Sequence, residues 1–164
     1  MFKRLKGQRG FTLIELMIVI AVIAILASVL IPKSGMIQDS AKEAGVEANA
    51  RIVQGLTEGM SHKYTTGTPL RLALISKING GGLASASPVQ NPFTLKTGAA
   101  ATLPETVAVV VTTLVAPATG IANKGSIWVQ IVDIPTNTTN IIITPYDRNG
   151  AAIAGGAITV KWGS

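Results

Sequence analysis

From Leu16 to Ile31 this chain carries no charged side chain, and across the 21 residues from Phe11 to Ile31 it carries one, Glu15. As an α-helix that run would span roughly 32 Å, the thickness of a bilayer's hydrocarbon core. Lys3, Arg4, Lys6 and Arg9 crowd ahead of it. By the positive-inside rule this cluster holds residues 1–10 in the cytoplasm and sends the rest outward. A secretory signal peptide is a poor description, because its apolar region is only about 7–15 residues long and ends in a small-x-small cleavage site. Ala27-Ser28-Val29-Leu30 offers no such site. A plain transmembrane anchor fits the length but gives no reason for a carboxylate near the start of an apolar segment, where an unpaired charge is costly.

The remaining composition narrows the function classes. The chain has 164 residues, room for one modest domain plus an appendage. The net charge of +6 comes from 14 basic and 8 acidic residues. Without the four basic residues of the leader the balance is ten against eight, or +2. The basic excess therefore does not indicate a nucleic-acid partner, and no basic stripe with interleaved aromatics follows downstream. There is no cysteine, which excludes disulfides and thiolate metal sites.

The stretch Gly10-Phe11-Thr12-Leu13-Ile14-Glu15-Leu16-Met17-Ile18-Val19-Ile20 closely resembles the N-terminus of type IV prepilins and their pseudopilin relatives, with strict likeness over about residues 7–33. The resemblance implies that a membrane peptidase, which is also an N-methyltransferase, cuts between Gly10 and Phe11 and methylates Phe11. It implies that Glu15, fifth in the mature chain, acts with Phe11 in subunit assembly. It implies a helix kink at Pro32. The fold expected is α+β, the type IV pilin fold: a long N-terminal helix packed on a small antiparallel sheet of about four strands. The partners expected are other copies of the chain in a helical homopolymer, the prepilin peptidase, the pilus assembly platform with its ATPase, and the inner membrane before assembly. No cofactor is expected.

Physical chemistry supports this transfer. Cleavage before Phe11 creates an amine that stays cationic when methylated, and a carboxylate in apolar surroundings needs a cation. Glu15 can neutralise that amine on its own subunit or on a neighbour. The alternative is a carboxylate at the membrane interface, where it costs little and does nothing. Pro32 follows where the apolar run ends, and proline kinks or stops a helix. Two departures from the family stand out. No glycine interrupts the run between Phe11 and Ser34, and no cysteine pair closes a C-terminal loop, which strand pairing or packing of Trp128 and Trp162 would have to hold.

Downstream, residues 33–63 read as an amphipathic helix. Ile37, Ala41, Ala44, Ala48, Ile52, Leu56 and Met60 recur at steps of three and four, the signature of one helical face. Its small residues suit close approach of a sheet. Glu47 and Arg51 form an i,i+4 pair, and Gly35, Gly45, Gly55 and Gly59 make the helix depend on packing. Residues 64–105 read as a connecting region: a break at Tyr64–Pro69, a short helix over Leu70–Ile78, a flexible turn at Gly80-Gly81-Gly82, and a loop pinned by burial of Phe93. Residues 106–164 are strand territory, with strands expected at Thr106–Val115, Ser126–Ile134, Asn140–Tyr146 and Ala157–Trp162. Short separators, among them Asn149-Gly150, imply an antiparallel meander. Residues 1–10 would thus be a removable leader and 11–32 the membrane or filament-core helix.

Catalytic constellations are missing from this pattern. His62, the single histidine, sits at a helix end with no nucleophile beside it. Asp133 and Asp147 could meet on neighbouring loops, but their spacing is unlike a calcium loop. Asn137-Thr138-Thr139 matches a glycosylation sequon and reads as turn composition. The reading is therefore a structural, non-enzymatic protein: the major subunit of a type IV pilus, serving adhesion, twitching motility or DNA uptake. It sits in the cytoplasmic membrane with its N-terminus inside, then in an extracellular filament. The alternatives are a pseudopilin of a type II secretion or competence system, and a membrane-anchored binding module that never polymerises.

Overall fold

Four β-branched runs in the last third become strands, and two helices supply their cover. The computed structural model describes residues 10–81, 89–102, 104–131 and 140–162, with residues 32–34 described by backbone alone. In chain order the elements are α1 (Leu13–Ser61), α2 (Gly67–Ile78), β1 (Ala99–Ala100), β2 (Val109–Thr112), a 3-10 turn (Ile121–Asn123), β3 (Ile127–Gln130), β4 (Asn140–Pro145) and β5 (Ile158–Lys161). The expected leader up to Arg9, Gly82, Asp133 and the Asn137-Thr138-Thr139 sequon lie outside the described residues.

The chain divides into two units, one ending at Gln38 and one running from Asp39. In the first, the described part of α1 is bare apolar helix. In the second, the rest of α1, α2 and the sheet share one core. The class is α+β, a long N-terminal helix whose second half packs on a five-stranded sheet ordered β1-β2-β3-β4-β5.

The sheet is mixed, which corrects the expected antiparallel meander. β3–β4 and β4–β5 pair antiparallel, with Val129 opposite Ile143 and Ile141 opposite Val160. β2–β3 and the two-residue β1–β2 contact are parallel, with Val110 opposite Trp128 and Ala99 opposite Val109. The connection from Thr113 to Ser126 runs 14 residues, long enough to carry the chain back for parallel pairing. β1 has no signature in the sequence because two alanines are too short to show an alternation.

Alternation fills the core from the sheet side. Val109, Val111, Ile127, Val129, Ile141 and Ile143 are all at most 1% exposed. Across from them lie Val46, Ala50 and Val53 of α1 and Leu70, Leu74 and Ile78 of α2. This overturns the expected stripe on α1. Ile37 is 69% exposed and Ile52 42%, and Ala41, Ala44 and Ala48 are exposed as well. Only Leu56 and Met60, at the stripe's end, pack on the core. The small residues do not receive the sheet. The buried series Val46, Ala50, Val53, Thr57, Ser61 obeys the same 3.6 period on the opposite side. Thr57 offsets its burial by donating its hydroxyl to the Val53 carbonyl at 2.7 Å.

α2 begins at Gly67, three residues ahead of the expected start. Pro69 falls in its first turn, where a missing N–H costs no helical hydrogen bond. The loop after it is held by Asn91, which is 1% exposed. Its Nδ2 donates to the Lys124 carbonyl at 2.7 Å, and its Oδ1 accepts from the amides of Phe93 at 2.9 Å and Thr94 at 3.1 Å. Phe93 is half-buried against the core, with the ammonium groups of Lys42 and Lys124 each 5.6 Å from its ring centroid. At the sheet's far end Tyr146 is buried and donates its hydroxyl to the Pro117 carbonyl. The two tryptophans tie down separate elements: Trp128 Nε1 donates to the Leu114 carbonyl at 3.1 Å, and Trp162 Nε1 to that of Tyr64 at 3.0 Å. Among the described residues the ion pair is Arg148–Asp39 at 2.5 Å, and Glu47 and Arg51 do not close to bonding distance.

Candidate functional site

The site begins where α1 begins. Gly10 is exposed, and a side chain added there would meet nothing within 4 Å, so the Gly10–Phe11 bond stands in open space. Phe11 is 85% exposed. Thr12 precedes the first helical residue and closes a reciprocal cap with Glu15. Its N–H and its hydroxyl both donate to Glu15 Oε2, at 2.9 and 2.7 Å, and the Glu15 N–H donates back to Thr12 Oγ1 at 3.3 Å. A helix leaves its first amides without partners, and a Thr-x-x-Glu box satisfies two of them at once. The carboxylate also complements the positive end of the helix dipole. The motif is spelled out as Thr12-Leu13-Ile14-Glu15. Thr12 is the residue that attention to the acidic position alone passes over.

Behind this cap α1 exposes apolar surface without interruption. Leu16, Ile20, Ile23, Leu26, Leu30 and Ile31 are each between 56% and 70% exposed. The helix is long and apolar enough to cross a membrane by length and composition. Pro32 lies inside α1, which continues past it to Ser61.

Other candidates hold no constellation for chemistry. His62 is exposed just past the end of α1. Asp147 Oδ1 accepts from the amides of Asn149 at 2.7 Å and Ala151 at 2.8 Å, which shapes a turn. Among the described residues no three His, Cys, Asp or Glu side chains gather to hold a metal. An open groove of ≈ 240 Å³ runs beside α1, lined by Glu47, Arg51 and Gln54 and by the bare backbone at Gly155 and Gly156.

Comparison with known proteins bears on this N-terminus and on the whole chain. The family model described as the prokaryotic N-terminal methylation motif matches residues 5–31. Two proteins of Pseudomonas aeruginosa, each named fimbrial protein, are 26% identical to this chain over 157 residues, covering 96% of it and 80% of their own length. No solved structure matches.

Proposed function

We propose that this chain is a type IV pilin and the major subunit of a type IV pilus, a reading supported by its N-terminal methylation motif and by its 26% identity to fimbrial proteins over 96% of its length. The observation that carries the reading is an exposed Gly10–Phe11 junction joined directly to a bare apolar helix. Such a surface is stable in only two settings, a bilayer or a bundle of like helices. The subunit waits in the cytoplasmic membrane with residues 1–10 inside. The prepilin peptidase removes those residues and methylates Phe11, and the assembly platform with its ATPase draws the subunit into a homopolymer.

In the filament, residues 11–32 form the core, Glu15 is neutralised by a Phe11 amine, and Pro32 bends or loosens the helix as it packs. The outward stripe of Ile37, Ala41, Ala44, Ala48 and Ile52 lies against neighbouring helices, where its small side chains permit close approach. The sheet unit forms the exterior and serves adhesion, motility or DNA uptake. The role is structural, without catalysis. The name fimbrial protein carried by both relatives favours a surface pilus over a short periplasmic pseudopilus.

Shearing cells that express the chain tests this. The sheared fraction is expected to contain long fibres by electron microscopy, built from a protein whose N-terminal mass begins at methylated Phe11. A chain that starts at Met1, or one that never leaves the membrane, refutes the proposal.

A further inference from the structure

Among the described residues Leu95 alone, glycines apart, has a positive φ, at +58°. That region is strained for a bulky side chain, and glycine or asparagine takes it at less cost. The turn that imposes it is firmly built. The Leu95 N–H donates to the Asn91 carbonyl at 2.8 Å, the Asn91 N–H to the Lys96 carbonyl at 2.8 Å, and Gln90 Nε2 to the Leu95 carbonyl at 3.2 Å. Leu95 gains little burial inside the subunit in return, since it is 68% exposed. A strained, rigid backbone that holds an apolar side chain out to solvent is the form of an anchor for another surface.

The charges around the turn specify that surface. The turn lies along one flank of α1, where Asn49 Nδ2 donates to the Gln90 carbonyl at 2.7 Å and Gly45 makes room for Pro92. Lys96 belongs to the turn, and Lys42 and Lys124 stand against its Phe93 ring. None of these lysines has a carboxylate within ion-pair distance among the described residues. By helical period the opposite flank of α1 carries Glu43, Glu47, Arg51 and Glu58. The open groove of ≈ 240 Å³ lies on that flank, with Ala50 and Ile158 as apolar lining and no side chain to narrow it at Gly155 and Gly156. A cavity of about 150 Å³ holds a benzene molecule, so this groove has room for a leucine side chain. One flank thus offers an apolar knob among cations, and the other an opening among mostly acidic side chains.

We propose that Leu95 of one subunit seats in the groove between α1 and residues 154–158 of a second copy, with Lys42, Lys96 and Lys124 facing the carboxylates of that copy's α1. The proposal rests on the pilin reading above and adds the contact that sets one sheet unit against the next. Knob and groove lie on opposite flanks of α1, so a two-fold pair cannot fill both. Each copy that accepts a leucine offers its own to another, and such a heterologous contact continues as an open helical filament. The leucine supplies affinity, while the charges fix register and reject the pairing of like flanks.

The chain has no cysteine, so introduced cysteines report the contact alone. Cells expressing the full chain with its processing and assembly machinery carry Thr94→Cys beside the leucine, Gln54→Cys in the groove, or both. Sheared fibres are treated with a short bis-maleimide before denaturing electrophoresis. The double variant is expected to give a ladder of covalent oligomers, and each single variant a monomer. Dimers from a single variant, or no ladder from the double one, overturn the proposal while the fibres themselves uphold the pilin reading. A wild-type chain that forms no fibres overturns both. Leu95→Asn gives a second readout, because asparagine tolerates the left-handed backbone. Its melting temperature is expected to equal or exceed that of the wild type, while fibre yield falls roughly ten-fold or more with loss of the buried leucine. A lower melting temperature would assign Leu95 to the subunit's own stability. An undiminished yield, even with weaker attachment to a foreign surface, would assign it to another partner. Either result overturns the proposal.

Discussion

Ile52 and Val53 are adjacent in sequence, and the turn of about 100° between them leaves one exposed and the other buried, so paired substitutions separate what α1 does for its own domain from what it does for a fibre. Val53 is 0% exposed and sits among the sheet's valines and isoleucines. Val53→Ala removes two methyl groups at about 0.8 kcal/mol each and leaves a cavity, for a total of about 2–3 kcal/mol. Ile52 is 42% exposed and lies outside the core cluster. Ile52→Ala loses less burial, and alanine's better helix propensity returns a few tenths, so the net cost stays below about 1 kcal/mol. Ile52→Glu is equally mild in the isolated subunit. In a fibre it places an unpaired carboxylate in a helix seam, at about 3 kcal/mol or more than a hundredfold per subunit added. Thermal melts of the detergent-solubilised chain, followed by the fluorescence of Trp128 and Trp162, read the first quantity, and sheared-fibre yield reads the second. Val53→Ala is expected to lower the melting point by about 8–12 °C and Ile52→Glu to leave it within a few degrees, while Ile52→Glu alone eliminates fibres among chains that fold. Wild-type fibre yield from Ile52→Glu would remove the outward stripe from the interface. Equal melting losses for Ile52→Ala and Val53→Ala would show that the faces of α1 are misassigned.

Three further expectations concern the sheet unit. Gly150 has φ +73°, and a Cβ there would lie 2.0 Å from the Gly120 carbonyl oxygen, whereas at Gly155, with φ +72°, it would meet nothing within 4 Å. By melting or urea titration Gly155→Ala should cost about 1 kcal/mol for backbone strain alone. Gly150→Ala should cost at least about 3 kcal/mol, since it also displaces the bond from the Gly120 amide to the Gly150 carbonyl, 2.8 Å long. Burial pushes the Tyr146 phenol up from 10.0 to about 12, so the folded state holds its proton more tightly than the unfolded chain does. The resulting stability is fully present below pH 10 and is lost as pH rises toward 12, by at most about 1.4 kcal/mol per pH unit. Tyr146→Phe should flatten that part of a stability–pH curve. Asn91→Ala should cost about 2–4 kcal/mol by urea titration, because three backbone groups lose their buried partner together.

The N-terminal site was legible because its chemistry is contiguous. A Gly10-Phe11 junction, a carboxylate four residues on and an apolar run need only covalent order and helical period, and both can be read from Gly10 to Ile31. The β-branched runs located β2 to β5 for the same local reason. What the sequence alone could not determine is how these pieces meet. α1 carries two stripes of identical period, one through Ile37, Ala48 and Ile52 and one through Val46, Ala50 and Val53. Periodicity gives the spacing of a face but not the side from which a sheet approaches, and the larger exposed isoleucines made the wrong stripe look like the core. Strand direction was hidden likewise, because whether Thr113–Ser126 is a turn or a crossover depends on where its far end docks. The cap of Thr12 on Glu15 was written in the residues. Only coordinates, however, turn a motif into a carboxylate that accepts from the Thr12 hydroxyl at 2.7 Å.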